Sequence, residues 1–117
     1  GYGYAQVSKS ELERWSDLIE GYFNDERFFA LVVSLIDIRH DPSELDRNMV
    51  EFLLESELPF AIALTKADKL SKQKANSQKQ KIMKQLMLPK NTPVVMTSSE
   101  KGTGIDELRA LITSYIQ

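Results

Sequence analysis

The chain has 117 residues, 42% hydrophobic and 27% charged, with a formal net charge of −2. That is one domain of ordinary globular composition and excludes a disordered or low-complexity polymer. It has no cysteine, which excludes disulfide frameworks and thiolate metal sites and fits a reducing compartment. The longest apolar run, Phe28–Ile36, falls well short of the ~20 residues that cross a bilayer. No basic segment followed by an apolar stretch opens the chain, so a cytoplasmic protein with no membrane partner is expected.

Three apolar runs alternate with amphipathic stretches, the pattern of a parallel sheet covered by helices. Glu11–Phe23 reads as a helix with Leu12, Trp15, Ile19, Tyr22 and Phe23 on one face, opened by Ser8 or Ser10. Ala30–Asp37 is a strand, apolar enough to be buried on both faces. Asp41-Pro42 is expected to open a second helix, with Asp41 as cap and Leu45, Met49, Phe52 and Leu53 facing the core. Pro59 ends it. Phe60–Thr65 is a second strand and Ser71–Met87 a third helix, apolar at Ile82, Met83 and Leu86. Pro93–Thr97 is a third strand. Helix Ile105–Ile116 closes the chain, its face Ile105, Leu108, Ile112 and Tyr115.

The charge is unevenly spread. Residues 1–65 balance to −8, residues 66–90 to +7 and residues 91–117 to −1. Such a block is a solvated face or a surface for a polyanion. The only histidine, His40, has no second ligand nearby in sequence, so it is expected to hold its loop and not a metal.

Ligands of open α/β sheets sit beyond the carboxyl ends of the strands. Three segments fall there: 37–40, 65–69 and 97–102. In the second, Asp68 can accept two parallel hydrogen bonds from N1–H and N2–H₂ of guanine, a donor pair that adenine lacks. Lys66 can lay its methylene stem along a ring face while its ammonium stays in water. Alone, these are equally well the solvated charges of a loop. In the third segment, backbone N–H groups around Ser98-Ser99 can reach a carbonyl such as guanine O6. Two neighbouring strand ends then grip two edges of one base.

Four segments occur in order: Gly1-Tyr-Gly-Tyr-Ala5, Asp37-Ile-Arg-His-Asp-Pro-Ser-Glu-Leu-Asp46, Thr65-Lys-Ala-Asp-Lys69 and Thr97-Ser-Ser99. In these the chain resembles the translation-factor-related GTPases, and closely the EngB/YsxC-type GTPases of bacterial ribosome assembly. The resemblance implies an α/β, three-layer P-loop GTPase-like fold truncated to a three-stranded parallel sheet with about four helices. Residues 1–117 correspond to the C-terminal part of a single G domain: switch II, the guanine-specificity loops and the last three strands. It also implies that Asp68 reads guanine N1 and N2, Lys66 flanks the ring, Thr65 braces the loop, and Ser98-Ser99 reach O6 through the Ser99 N–H. By the same resemblance the Gly1 N–H would face the γ-phosphate, and Tyr2 stands where Ras-like GTPases carry a glutamine that orients water.

No G-x-x-x-x-G-K-[ST] stretch occurs in the sequence, so the phosphate cradle and the Mg²⁺-ligating hydroxyl are absent from it. No catalytic or metal-binding residue, and no GTP hydrolysis by this chain alone, are therefore expected. GTP or GDP with Mg²⁺ are expected of the intact parent, and this chain is expected to bind guanine nucleotides only weakly. The resemblance implies the large ribosomal subunit and its RNA as partners. A rival reading is a small non-enzymatic module whose Lys72, Lys74, Lys79, Lys81 and Lys84 contact RNA. The unpartnered Ala30–Asp37 strand is expected to drive self-association.

Overall fold

The computed structural model describes residues 31–116, together with Glu13 and Asp17, which are helical and exposed. The rest of the expected first helix, with Trp15, Tyr22 and Phe23, lies outside the described residues, as does the Gly1–Ala5 opening.

Among the described residues, strands β1 (Val32–Asp37), β2 (Phe60–Thr65) and β3 (Val94–Met96) alternate with helices α1 (Glu44–Glu55), α2 (Lys72–Gln85) and α3 (Ile105–Ile116). The three strands form one parallel sheet in the order β1-β2-β3. Registers Asp37↔Thr65 and Leu64↔Met96 align the carboxyl ends along one rim, and the three chemistry-bearing loops leave from that rim.

The core lies on one side of this sheet. Ile36, Phe60, Ile62 and Leu64 of the strands pack with Val50 and Leu53 of α1 and with Ala75, Ile82 and Leu86 around α2. Fully burying each of the larger side chains contributes roughly 1.5–3 kcal/mol. On the opposite face of β2, Ala61 and Ala63 are also fully buried. No residue of α3 is fully buried, and Tyr115 and Ile116 are exposed. The terminal helix is therefore the least anchored of the three.

The expectation that the first strand is buried on both faces fails. Ser34 and Ile36 are buried, but Leu35 is 57% exposed, because β1 is an edge whose one described strand partner is β2. Only β2 has the two-sided burial. A continuous apolar run reads alike in both places, and the neighbours decide the difference.

Asp41 is not the cap of α1. Ser43 caps it: Ser43 Oγ accepts from the Asp46 N–H at 3.1 Å, and the Ser43 N–H donates to Asp46 Oδ2 at 3.0 Å. This reciprocal box satisfies two end donors, and Asp41 is left to pair with Lys81 of α2 at 3.2 Å. Helix α2 starts one residue later than expected because Ser71 is its cap. It ends two residues earlier, where the chain turns into a left-handed residue, Met87 (φ 54°). Both α1 and α2 close in the same way. The N–H of Leu58 or Leu88 donates to Leu53 O or Met83 O, and that of Glu57 or Met87 to Leu54 O or Lys84 O. These are Schellman closures made without glycine.

Candidate guanine-recognition site

Each strand hands its end to its neighbour through a threonine. Thr65 Oγ1 donates to Ile36 O at 3.4 Å across β1–β2, and Thr97 Oγ1 lies 3.5 Å from Leu64 O across β2–β3. The Thr97 N–H donates to the same carbonyl at 2.8 Å. These contacts bind the roots of all three loops into one rim.

From this base the 65–70 loop enters a left-handed residue, Lys66 (φ 61°), and then a single 3₁₀ turn, Ala67–Lys69. A non-glycine residue there is strained by about 1–2 kcal/mol. The conformation is held by the Lys69 N–H donating to Lys66 O and the Ala67 N–H donating to Thr97 O, both at 3.0 Å. The second bond ties this loop directly to the 97–104 loop.

Asp68 is fixed from behind. Ser98 is buried, and its Oγ donates to Asp68 Oδ1 at 2.7 Å while accepting from the Lys101 N–H at 3.1 Å. The Ser98 hydrogen bond holds the Asp68 carboxyl below its ordinary value against partial desolvation. At neutral pH the group is thus ionised and can only accept. Lys69 Nζ sits 3.6 Å from Asp68 Oδ2 and 3.0 Å from Glu100 Oε2, and these acidic partners raise the lysine's pKa.

Of the backbone donors in the third loop, the Ser98 N–H is already given to Thr103 O. Ser99 is exposed, and its N–H donates to no described residue. Gly104, at φ 74°, brings the start of α3 against β3, since a Cβ there would overlap the carbonyl oxygen of Met96.

The first loop contributes Asp37. Its carboxylate accepts from Arg39 N at 3.0 Å, from Nε at 3.1 Å and from Nη2 at 2.8 Å, and Lys66 Nζ lies 3.5 Å from Oδ2. The Arg39 side chain, before any other group, pushes the Asp37 pKa far below the carboxylate range. His40 holds its loop through the backbone, its carbonyl accepting from Gln78 Nε2 at 3.2 Å.

The structure therefore brings Thr65, Lys66, Asp68, Ser98 and Ser99 onto one rim. Gly1 lies outside the described residues. Sequence reasoning missed Glu100 and the Asp37–Lys66 pair, and the 31-residue separation of Lys69 and Glu100 explains why.

The elongation factor Tu GTP-binding domain model matches residues 26–117. The chain belongs to that family. Among curated relatives, the probable GTP-binding protein EngB of Ligilactobacillus salivarius is 43% identical over 108 residues, 92% of this chain and 55% of the relative. The protein of the same name from Streptococcus sanguinis is 42% identical over 116 residues, 99% of this chain and 60% of the relative. The chain thus spans a little over half the length of these relatives. In fold it is similar to the crystal structure of a probable GTP-binding protein EngB, with a TM-score of 0.71 at 19% identity, covering 99% of this chain and 73% of that one. The sequence-based α/β GTPase-like fold and three-stranded parallel sheet stand. Three α-helices are described where about four were expected; the expected helix Glu11–Phe23 falls mostly outside the described residues. No helix among the described residues is long and apolar enough to cross a membrane.

Proposed function

We propose that this chain carries the guanine-recognition part of a GTP-binding domain. Asp68 accepts from guanine N1–H and N2–H₂, the Ser99 N–H donates to O6, and the Lys66 stem covers one ring face. Thr65 braces the loop, and Ser98 positions Asp68 without itself touching the base. One observation carries the reading: the ionised Asp68 carboxylate, fixed by the 2.7 Å bond from Ser98, lies in the loop tied by the Ala67–Thr97 bond to the one that offers the open Ser99 N–H. No group of three or more His, Cys, Asp or Glu among the described residues can hold a metal. Mg²⁺ and phosphate chemistry, like a switch function on the large ribosomal subunit in the cytoplasm, belong in this reading to the longer protein. Affinity is expected to be weak and alike for GMP, GDP and GTP.

Binding of guanosine, adenosine and xanthosine to the 117-residue chain, followed by NMR shift changes, tests this. Guanosine should bind best, and Asp68→Asn should reverse the order toward xanthosine, whose 2-carbonyl accepts from an amide where guanine's 2-amino group donates. Equal binding of all three nucleosides, unchanged by Asp68→Asn, overturns the reading.

A second contact is favoured by the charges of α2. That helix holds no acidic residue, and Lys72 and Lys74 stand in its first turn, where the helix dipole disfavours cations. Lys72, Lys74 and Lys84 are exposed and make no ion pair with a described residue, whereas Lys81 is taken by Asp41 and Lys79 is half-buried. Three phosphate contacts on an RNA duplex give a log–log salt slope of about −0.9 each. A flat salt response rejects the contact.

A further inference from the structure

Asp68 has a lysine two residues before it and another immediately after. Either could close on its carboxylate, since Lys66 and Lys69 both have half-exposed, flexible side chains (54% and 47% exposed). A carboxylate covered by an ammonium of its own chain is a poor acceptor for a base edge. In the structure each lysine meets an acid from a different strand end, Lys66 with Asp37 alone and Lys69 shared between Glu100 and Asp68. Lys66 Nζ lies 3.5 Å from Asp37 Oδ2 on the β1 side. Lys69 Nζ lies 3.0 Å from Glu100 Oε2 on the β3 side, closer than its 3.6 Å approach to Asp68. Asp37 is itself locked by the backbone N–H and by the Nε and Nη2 donors of Arg39, so it offers Lys66 a fixed target.

We propose that Asp37 and Glu100 are positioning residues that draw the two flanking lysines from Asp68, Lys66 wholly and Lys69 in part, so that its carboxylate stays available to the guanine edge. The inference rests on the guanine reading above and adds two residues to it. Neither touches the ligand. Their effect runs through Lys66, whose ammonium Asp37 holds, and through Lys69, whose ammonium Glu100 holds.

The test uses Asp37→Asn, Glu100→Gln and the double variant of the full chain, with guanosine as the probe. Each single change should weaken guanosine binding by up to about fivefold, the scale of a surface ion pair. The diagnostic sign is in the salt response. Guanosine is neutral, so salt should hardly affect its binding to the unmodified chain. In the double variant the competitor is an internal ion pair, so raising salt from about 0.05 to about 0.5 M should restore affinity by screening it. Adding Lys69→Met to Glu100→Gln should also restore binding, which a merely structural role for Glu100 does not predict. The Asp68 carboxyl carbon gives a readout independent of any ligand: its titration should move further down in the double variant, as a freed ammonium settles against it. If guanosine fails to bind the unmodified chain, the guanine reading falls and this inference with it. If guanosine binds but the variants show no salt recovery, no rescue by Lys69→Met and an unmoved Asp68 titration, the inference alone is overturned.

Discussion

Gly102 and Gly104 share the same left-handed angle, φ 74°, but not the same surroundings. A Cβ on Gly102 meets nothing within 4 Å. On Gly104 it would overlap Met96 O, lie 3.0 Å from Met96 C and 3.3 Å from Thr97 Cα. All of these are backbone atoms at the end of β3, paired to Leu64, so they cannot swing aside. Alanine at either site incurs the left-handed strain of about 1–2 kcal/mol, partly offset by about 0.4–1 kcal/mol from a less flexible unfolded chain. Gly102→Ala should therefore cost about 1 kcal/mol. Gly104→Ala adds an overpacking cost of about 1–3 kcal/mol, for a total of about 2–4 kcal/mol. At roughly 4–8 °C per kcal/mol for a domain near this size, urea or thermal unfolding should separate the two clearly. The displacement should also reach the site, because the Ser98 N–H donates to Thr103 O in the same loop. Faster amide exchange at Ser98 and Lys101 is expected in Gly104→Ala alone. Equal stability losses in the two variants would refute the reasoning: the start of α3 would then yield freely, and its contact with β3 would not shape the loop.

Glu57 and Met87 close α1 and α2 in the left-handed region at φ 56° and 54°, so Glu57→Gly and Met87→Gly should each stabilise the fold by about 0.5–1 kcal/mol, net of glycine's entropy; an unchanged midpoint in urea would contradict this. The lowered pKa values of Asp37, Asp41 and Asp68 give stability that is present above the ordinary carboxylate value and lost as pH falls through the folded ones. Asp37→Asn should flatten that acid limb in pH-dependent unfolding, while Glu100→Gln should flatten the alkaline limb, where the raised Lys69 loses its proton. The edge of β1, unpaired among the described residues, and its 57% exposed Leu35 predict that the 117-residue chain self-associates at micromolar concentration through Leu31–Ile36. Sedimentation of Val33→Lys should show a shift toward monomer, and a stable monomer without the substitution would defeat the idea.

The elements were legible because hydrophobic period and proline stops are local signals. β2 and α3 have the expected bounds. Where the reading failed, the deciding partner was distant or in competition. Ser43 outcompeted Asp41 as a cap because its reciprocal bond with Asp46 satisfies two donors, and Asp41 was then free to meet Lys81, 40 residues away. The burial of β1 depended on what stands beside it. In the site, the roles of Lys66, Asp68 and Ser99 could be argued from their places after strands. The pairing of Lys69 with Glu100 and of Lys66 with Asp37 could not, since charged loop residues carry no periodicity that says which opposite charge they meet.

Lys66 shows why the site cannot be understood from contacts alone. Three non-glycine residues of the described structure have positive φ, and two of them, Glu57 and Met87, end helices. The third, Lys66, sits in the 65–70 loop at φ 61°. Strain of this kind persists where the surroundings over-determine the backbone, here through the Thr97 carbonyl on one side and the 3₁₀ turn on the other. Lys66→Gly removes the strain and keeps every backbone bond, so the fold should gain about 0.5–1 kcal/mol. It also removes the stem proposed to cover the base and the ammonium that Asp37 holds, so guanosine binding should weaken. Stability and affinity should then move in opposite directions in one variant, as unfolding and nucleoside titration can establish on the same preparation. A loss of both would mean that the Lys66 side chain holds the loop together, and that its left-handed backbone is relaxed and not strained in the service of binding.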